Sequence, residues 1–135
     1  MNEYELTFYA KDIGVRTELD YGELDISGDE EHGFRPFQLM VSSIVGCSSG
    51  VFRKILEKQR VPIEDFQVKV KVERNPEEAN RVEKMKIHYI VKGKNLDPDK
   101  LYKNLGVARK NCSMIRTVED AITIEETIDT IEISM

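Results

Sequence analysis

The chain is sparing with the residues that most protein chemistry relies on. It has two cysteines and two histidines in 135 residues, and no two of these four lie at the short spacing with which a local turn presents paired zinc ligands. There is no basic surplus either: 20 Lys and Arg stand against 25 Asp and Glu, a net charge of −5. Neither nucleic acid nor an anionic membrane attracts such a surface, and no basic patch with interleaved aromatics argues otherwise. No glycine-rich phosphate loop, dinucleotide fingerprint or nucleophile elbow occurs, and the Ser42/Ser43 and Ser48/Ser49 pairs read as small packing residues. The acidic start, Met1 to Glu5, alternates like a strand and is unlike a signal peptide. The least polar stretch, Leu39 to Phe52, is broken by four serines and is read as too short to span a bilayer. The expectation is a cytoplasmic protein, in a compartment that keeps thiols reduced.

What is present is an ordinary globular balance, 40% hydrophobic and 33% charged. With no internal repeat, low-complexity tract or linker, residues 1–135 read as one domain. Leu6 and Phe8 alternate with polar neighbours, Gly14 breaks the run, and Val15, Thr17 and Leu19 resume it. Asp20-Tyr21-Gly22 signals a turn before Leu24 and Ile26. Pro36 suits the first turn of a long helix, with Met40, Ile44, Cys47, Val51 and Ile55 as its stripe. The front of this helix is expected to be buried and its charged back half exposed. Running from Pro36 to Gln59 it would be about 36 Å long, a spine for a surrounding sheet. Phe66, Val68, Val70 and Val72, then Met85, Ile87, Tyr89 and Val91, give a hairpin apolar on one side. Asp97 and Pro98 start a second helix as N-cap and first residue; its stripe, Leu101, Leu105 and Ala108, continues to Cys112. Ile122 and Ile124 lead a last strand toward Ile128, Ile131 and Ile133. The order βββ–α–ββ–α–β reads as α+β.

Both cysteines lie on apolar helical stripes, where free cysteine commonly serves as a small core residue. Three features point instead to a thiol site. Cys47 is flanked by Gly46, Ser48, Ser49 and Gly50, which leave room beside it. Cys112 has Arg109, Lys110 and Asn111 before it and Arg116 four residues on, and cations favour thiolate over thiol. Two stripes that both face the core could also bring the sulfurs together. Zinc shared with His32 and His88 is set aside on spacing; both histidines read as solvated.

The run Arg35-Pro36-Phe37-Gln38-Leu39-Met40-Val41-Ser42-Ser43-Ile44-Val45-Gly46-Cys47 resembles the central-helix motif of the OsmC/Ohr family of thiol-dependent peroxidases. Asn111-Cys112-Ser113-Met114-Ile115-Arg116-Thr117-Val118 is similar to that family's second cysteine motif, and the order of elements around both agrees. The resemblance implies a sheet wrapped around a long, central, buried helix in an intertwined homodimer, with sites at the subunit interface. It also implies a reaction. Cys47 attacks the peroxide O–O bond and becomes a sulfenic acid, Cys112 condenses with it to a disulfide, and an external dithiol reduces the bond. No cofactor or metal is implied; the partners are a second copy, an organic hydroperoxide or hydrogen peroxide, and the dithiol. The family holds thiolate and peroxide with an arginine from the N-terminal strands. Arg16 is the first candidate, Arg35 the second and Arg116 the third, although Arg16 also reads as a solvated strand residue.

The chain departs from the family pattern at two positions. Phe37 stands where hydroperoxide reductases of the family carry a glutamate that orients the arginine, and Ser113 where proline often follows the second cysteine. Glu18 and Glu23 are the acidic residues that could stand in for the glutamate. Phe37 also enlarges the apolar lining of the site. The alternative to a peroxidase is therefore a redox sensor, or a protein that binds a small apolar ligand on the same fold.

Overall fold

The computed structural model describes residues 1–133. Its elements are strands β1 (Tyr9–Ala10), β2 (Val15–Glu18) and β3 (Glu23–Ile26), helix α1 (Pro36–Lys58), strands β4 (Ile63–Asn75) and β5 (Arg81–Gly93), helices α2 (Pro98–Asn111) and α3 (Ser113–Val118), and strand β6 (Thr123–Glu132). The fold is mixed α+β with two three-stranded sheets, β1-β2-β3 and β4-β5-β6. It follows the expected order with α3 added. The chain forms two compact units, one from Met1 to Ser42 and the other from Ser43 onward, with α1 beginning in the first and continuing in the second.

In the first unit β2 pairs antiparallel with both β1 and β3. Gly14 breaks the first strand run, as its sequence position suggests, because it sits at φ +82° and a Cβ there would collide with the Ile26 carbonyl. The run itself is shorter than expected. Leu6 and Phe8 lie before β1 and are exposed, since the ladder with β2 begins only at Tyr9. Leu19 has left β2 and closes the turn with Gly22 through bonds of 2.9 and 3.1 Å.

Helix α1 ends where expected. Arg60, at φ 56°, lets Val61 N–H reach the Leu56 carbonyl at 3.0 Å, a left-handed C-terminal cap. Its phase differs from the sequence reading. The buried positions are Ile44, Ser48, Phe52 and Leu56, whereas Cys47, Val51 and Ile55 lie one residue round and are half-buried. The front half is too uniformly small and apolar to define a phase, and the large side chains of Phe52 and Leu56 set it instead. The expected burial of the front is also not met: Pro36, Gln38, Ser42 and Ser43 are exposed, and Phe37, Leu39, Met40 and Val41 only half-buried. Helix α1 is long and apolar enough, by length and composition alone, to cross a membrane. That overturns the reading of its apolar stretch as too short, which stopped at Phe52 although the helix runs to Lys58. Phe52 and Leu56 nevertheless pack as the core helix of a globular unit does.

In the second unit β4 and β5 form the expected hairpin, and β6 joins β5 in parallel after the α2–α3 crossover. Met85, Ile87, Tyr89 and Val91 of β5 are fully buried, and Leu101, Leu105 and Ala108 of α2 are buried as well. Each large apolar side chain so buried contributes about 1.5–3 kcal/mol. Asp97 caps α2 by accepting from Asp99 and Lys100 N–H at 3.1 and 3.4 Å. On β6, Ile124 and Ile128 face inward, while Ile131 is out of phase and exposed.

Candidate functional site

Cys47 sits on the half-buried flank of α1. The small residues around it leave room, for a Cβ at Gly46 or Gly50 would meet no atom within 4 Å. Cys112, fully buried, occupies a junction: it is the C-cap of α2 and the N-cap of α3, at φ −89° and ψ 110°. An extended residue between two helices leaves the first N–H groups of the second without carbonyl partners inside it. Those groups turn to sulfur. Ile115 N–H donates to Cys112 Sγ at 3.4 Å, and Ser113 Oγ lies 3.6 Å from Cys47 Sγ.

The two free thiols differ in acidity. Hydrogen bonding by the Met114 backbone N–H lowers the pKa of Cys47 most; the Cys112 thiol and Ser113 lower it further, outweighing burial. Burial pushes the Cys112 thiol up, and its bond to Cys47 adds to that. In the pair, then, Cys112 donates its proton and Cys47 accepts. The cations expected to sustain a thiolate at Cys112 do other work. Arg109 reaches the Ile124 carbonyl at 2.7 Å, and Arg116 pairs with Glu119 at 3.3 Å in an exposed position. Neutral donors replace them.

Arg16 lies in the first unit, on β2. Its guanidinium holds Asp25 through two bonds, of 2.7 and 3.2 Å, and also pairs with Glu23. Glu23 is one of the acidic residues that the sequence offered as the arginine's partner. Asp25 was missed, although the antiparallel register sets it opposite Arg16. Arg35 stacks over the Phe37 ring, 4.9 Å from its centroid. His32 bonds Asp29 at 3.2 Å, and His88 bonds Thr127 and Asp129 at 2.6 and 3.0 Å on the outer face of the sheet.

Residues 28–127 match the family of OsmC-like proteins. The chain belongs to that family. Protein YhfA of Escherichia coli K12 is 27% identical over 106 residues, which cover 78% of each chain. A hypothetical protein from Aquifex aeolicus VF5 has a similar crystal structure, with a TM-score of 0.87 at 19% identity over 99% of this chain and 100% of that one. An organic hydroperoxide resistance protein OsmC from Legionella pneumophila gives a TM-score of 0.71 at 14% identity, covering 96% and 99%. At such identities these two structures establish the fold.

Beneath the cysteines of this OsmC-like chain lies a polar group that sequence reasoning did not find. Ser48 Oγ and the Tyr89 hydroxyl are 3.1 Å apart in the core. Glu126 of β6 is alongside, its side chain only 6% exposed, with Oε1 3.7 Å from Arg109. A signal existed. Ile122, Ile124, Glu126 and Ile128 share one phase of the strand alternation, and Glu126 is the acidic member of an otherwise apolar set.

Proposed function

We propose that this OsmC-like protein is a thiol-dependent peroxidase that reduces organic hydroperoxides or hydrogen peroxide. One observation carries the reading: of two free cysteines the more exposed, Cys47, has its sulfur 3.6 Å from the Oγ of Ser113, the residue that follows the buried Cys112, and hydrogen bonding, from the Met114 backbone first, lowers its pKa. A thiolate is the nucleophile in such chemistry. Cys47 attacks the O–O bond and forms a sulfenic acid while the alkoxide or hydroxide leaves and takes a proton. The Cys112 thiol then displaces the sulfenic hydroxyl as water, giving the Cys47–Cys112 disulfide, and an external dithiol restores both thiols.

The proposal assigns polarisation of the peroxide to Arg16, whose guanidinium is held by Asp25 and Glu23. Arg35 and Arg116 rank below it, because one stacks on Phe37 and the other is turned to Glu119. The working form is a cytoplasmic homodimer. In support, the apolar front of α1 is largely uncovered, with Phe37, Leu39, Met40 and Val41 only half-buried, and Tyr4, Leu6, Phe8 and Tyr9 are exposed. Apolar area of this extent is normally covered by another chain.

The test is consumption of tert-butyl hydroperoxide by purified protein supplied with a dithiol. Turnover is expected in the native chain and none in Cys47→Ser. Cys112→Ser should give a single cycle, leaving a sulfenic acid that dimedone traps. A native protein that consumes no peroxide would refute the reading.

A further inference from the structure

Arg16 stands among carboxylates. On β2 the side chains of Arg16 and Glu18 share the face opposite the buried Thr17, and the antiparallel register sets Asp25 and Glu23 of β3 across from them. Asp25 takes Arg16 Nε and Nη2 at 2.7 and 3.2 Å, and Glu23 pairs with the same guanidinium. Glu18 makes no ion pair among the described residues and acts on Arg16 through its charge. Lys11 joins the group, 3.1 Å from Asp25. Three carboxylates thus face two cations, and the surplus is negative.

The surplus continues beyond the sheet. Asp25 and Glu23 also line a groove of about 580 Å³, where Glu30 and Glu31 stand against Lys11 and Arg35 beside the exposed ring of Phe34. An arginine recognises a carboxylate through two parallel N–H···O bonds, and on Arg16 that fork is already filled by Asp25. Nη1 makes no hydrogen bond among the described residues, so it is the nitrogen left for a peroxide oxygen. A neutral hydroperoxide needs only that one donor. A hydroperoxide that also carries a carboxylate brings a negative charge up to a negative surplus, and like charges a few ångströms apart repel even near water.

We propose that the Arg16 site selects uncharged organic hydroperoxides and rejects those that bear a carboxylate. This selection rests on the peroxidase reading and on Arg16 as the group that holds the peroxide, and it adds the charge of the substrate. Within the set the roles divide. Asp25 and Glu23 fix the guanidinium by direct contact. Glu18, two residues along the same strand face, contributes charge alone and is the specificity-determining residue.

Three substrates of one shape make the test: cumene hydroperoxide, its para-carboxylate, and the methyl ester of that carboxylate, which keeps the bulk and loses the charge. Each is supplied at pH 7 with a dithiol, and its consumption gives kcat/KM. At low ionic strength the carboxylate is expected to fall about tenfold below its ester. In about 1 M salt, where charges are screened within about 3 Å, the gap should close. Glu18→Gln should narrow it to about threefold. Glu78→Gln, which removes the same charge from the segment between β4 and β5, should leave it wide. Equal rates for carboxylate and ester, or a faster carboxylate, overturn the proposal. A gap that survives high salt or Glu18→Gln also overturns it, because contact rather than this charge would then cause it. Equal narrowing by both variants does the same, since the net charge of the protein would be responsible. If none of the three substrates is consumed, the peroxidase reading falls and the selection with it. If all three are consumed at one rate, only the selection falls.

Discussion

Ser113 Oγ stands 3.6 Å from Cys47 Sγ, so the residue that follows one cysteine in sequence serves the other in space. The family often places proline here, which has neither a hydroxyl nor an N–H. Both Ser113 groups lower the Cys47 pKa, though less than the Met114 N–H does. At pH 7 iodoacetamide should therefore label Cys47 well before the buried Cys112. Ser113→Ala should slow that labelling about threefold, the value of one modest hydrogen bond. Mass spectrometry of the alkylated peptides gives both rates. Labelling of Cys112 first would invert the roles assigned to the two sulfurs.

Much of this arrangement was legible beforehand, and the reasons it was not all legible are physical. The hairpin, the Asp97 cap and the stripe from Leu101 to Cys112 follow from alternation and helical spacing, and these placed Cys112 in the core correctly. The phase of α1 did not follow, because spacing cannot distinguish one small apolar residue from another where Val41, Val45, Gly46 and Val51 surround the helix. Arg16 could be nominated but its partner could not, since Asp25 faces it only through the β2–β3 register. The thiol donors were invisible for a related reason. They are backbone N–H groups freed by a one-residue break between α2 and α3, and charge patterning drew attention to Arg109 and Arg116 instead.

The carboxylate of Asp25 reports on the arginine. The Arg16 guanidinium first, and the Lys11 ammonium second, hold its pKa at about 2, against an ordinary value of 3.8. A depressed carboxyl pKa adds stability that is fully present above the ordinary value and is lost as pH falls through the depressed one. The β1-β2-β3 sheet should therefore keep this pairing at neutral pH and shed it between about pH 4 and pH 2. Carboxyl carbon NMR of the native protein should show Asp25 titrating near the lower limit. In Arg16→Ala the midpoint should rise yet stay below the ordinary value, because Lys11 still reaches Asp25 at 3.1 Å. An Asp25 that titrates normally in the native chain would mean that the guanidinium is free, and the preorganisation claimed for Arg16 would fail.

Phe52 links the core to the thiol site. It is fully buried on α1, and its ring meets that of Tyr89 at 5.2 Å with a tilt of 58°, a favourable edge-on geometry. Tyr89 in turn carries the hydroxyl bonded to Ser48, the neighbour of Cys47. Replacing a buried ring by a methyl group removes its transfer energy and leaves a cavity, so Phe52→Ala should cost about 3–5 kcal/mol. Urea unfolding followed by circular dichroism measures that loss as a lower midpoint with an unchanged slope. The change should not stop at stability. With its stacking partner gone, Tyr89 can tilt into the cavity and draw away from Ser48. Phe52→Leu fills most of the space and should largely preserve both properties. A loss below about 1 kcal/mol for Phe52→Ala would show that the ring does not fix the phase of α1, and the inward placement of Ser48 beside Cys47 would then need another cause.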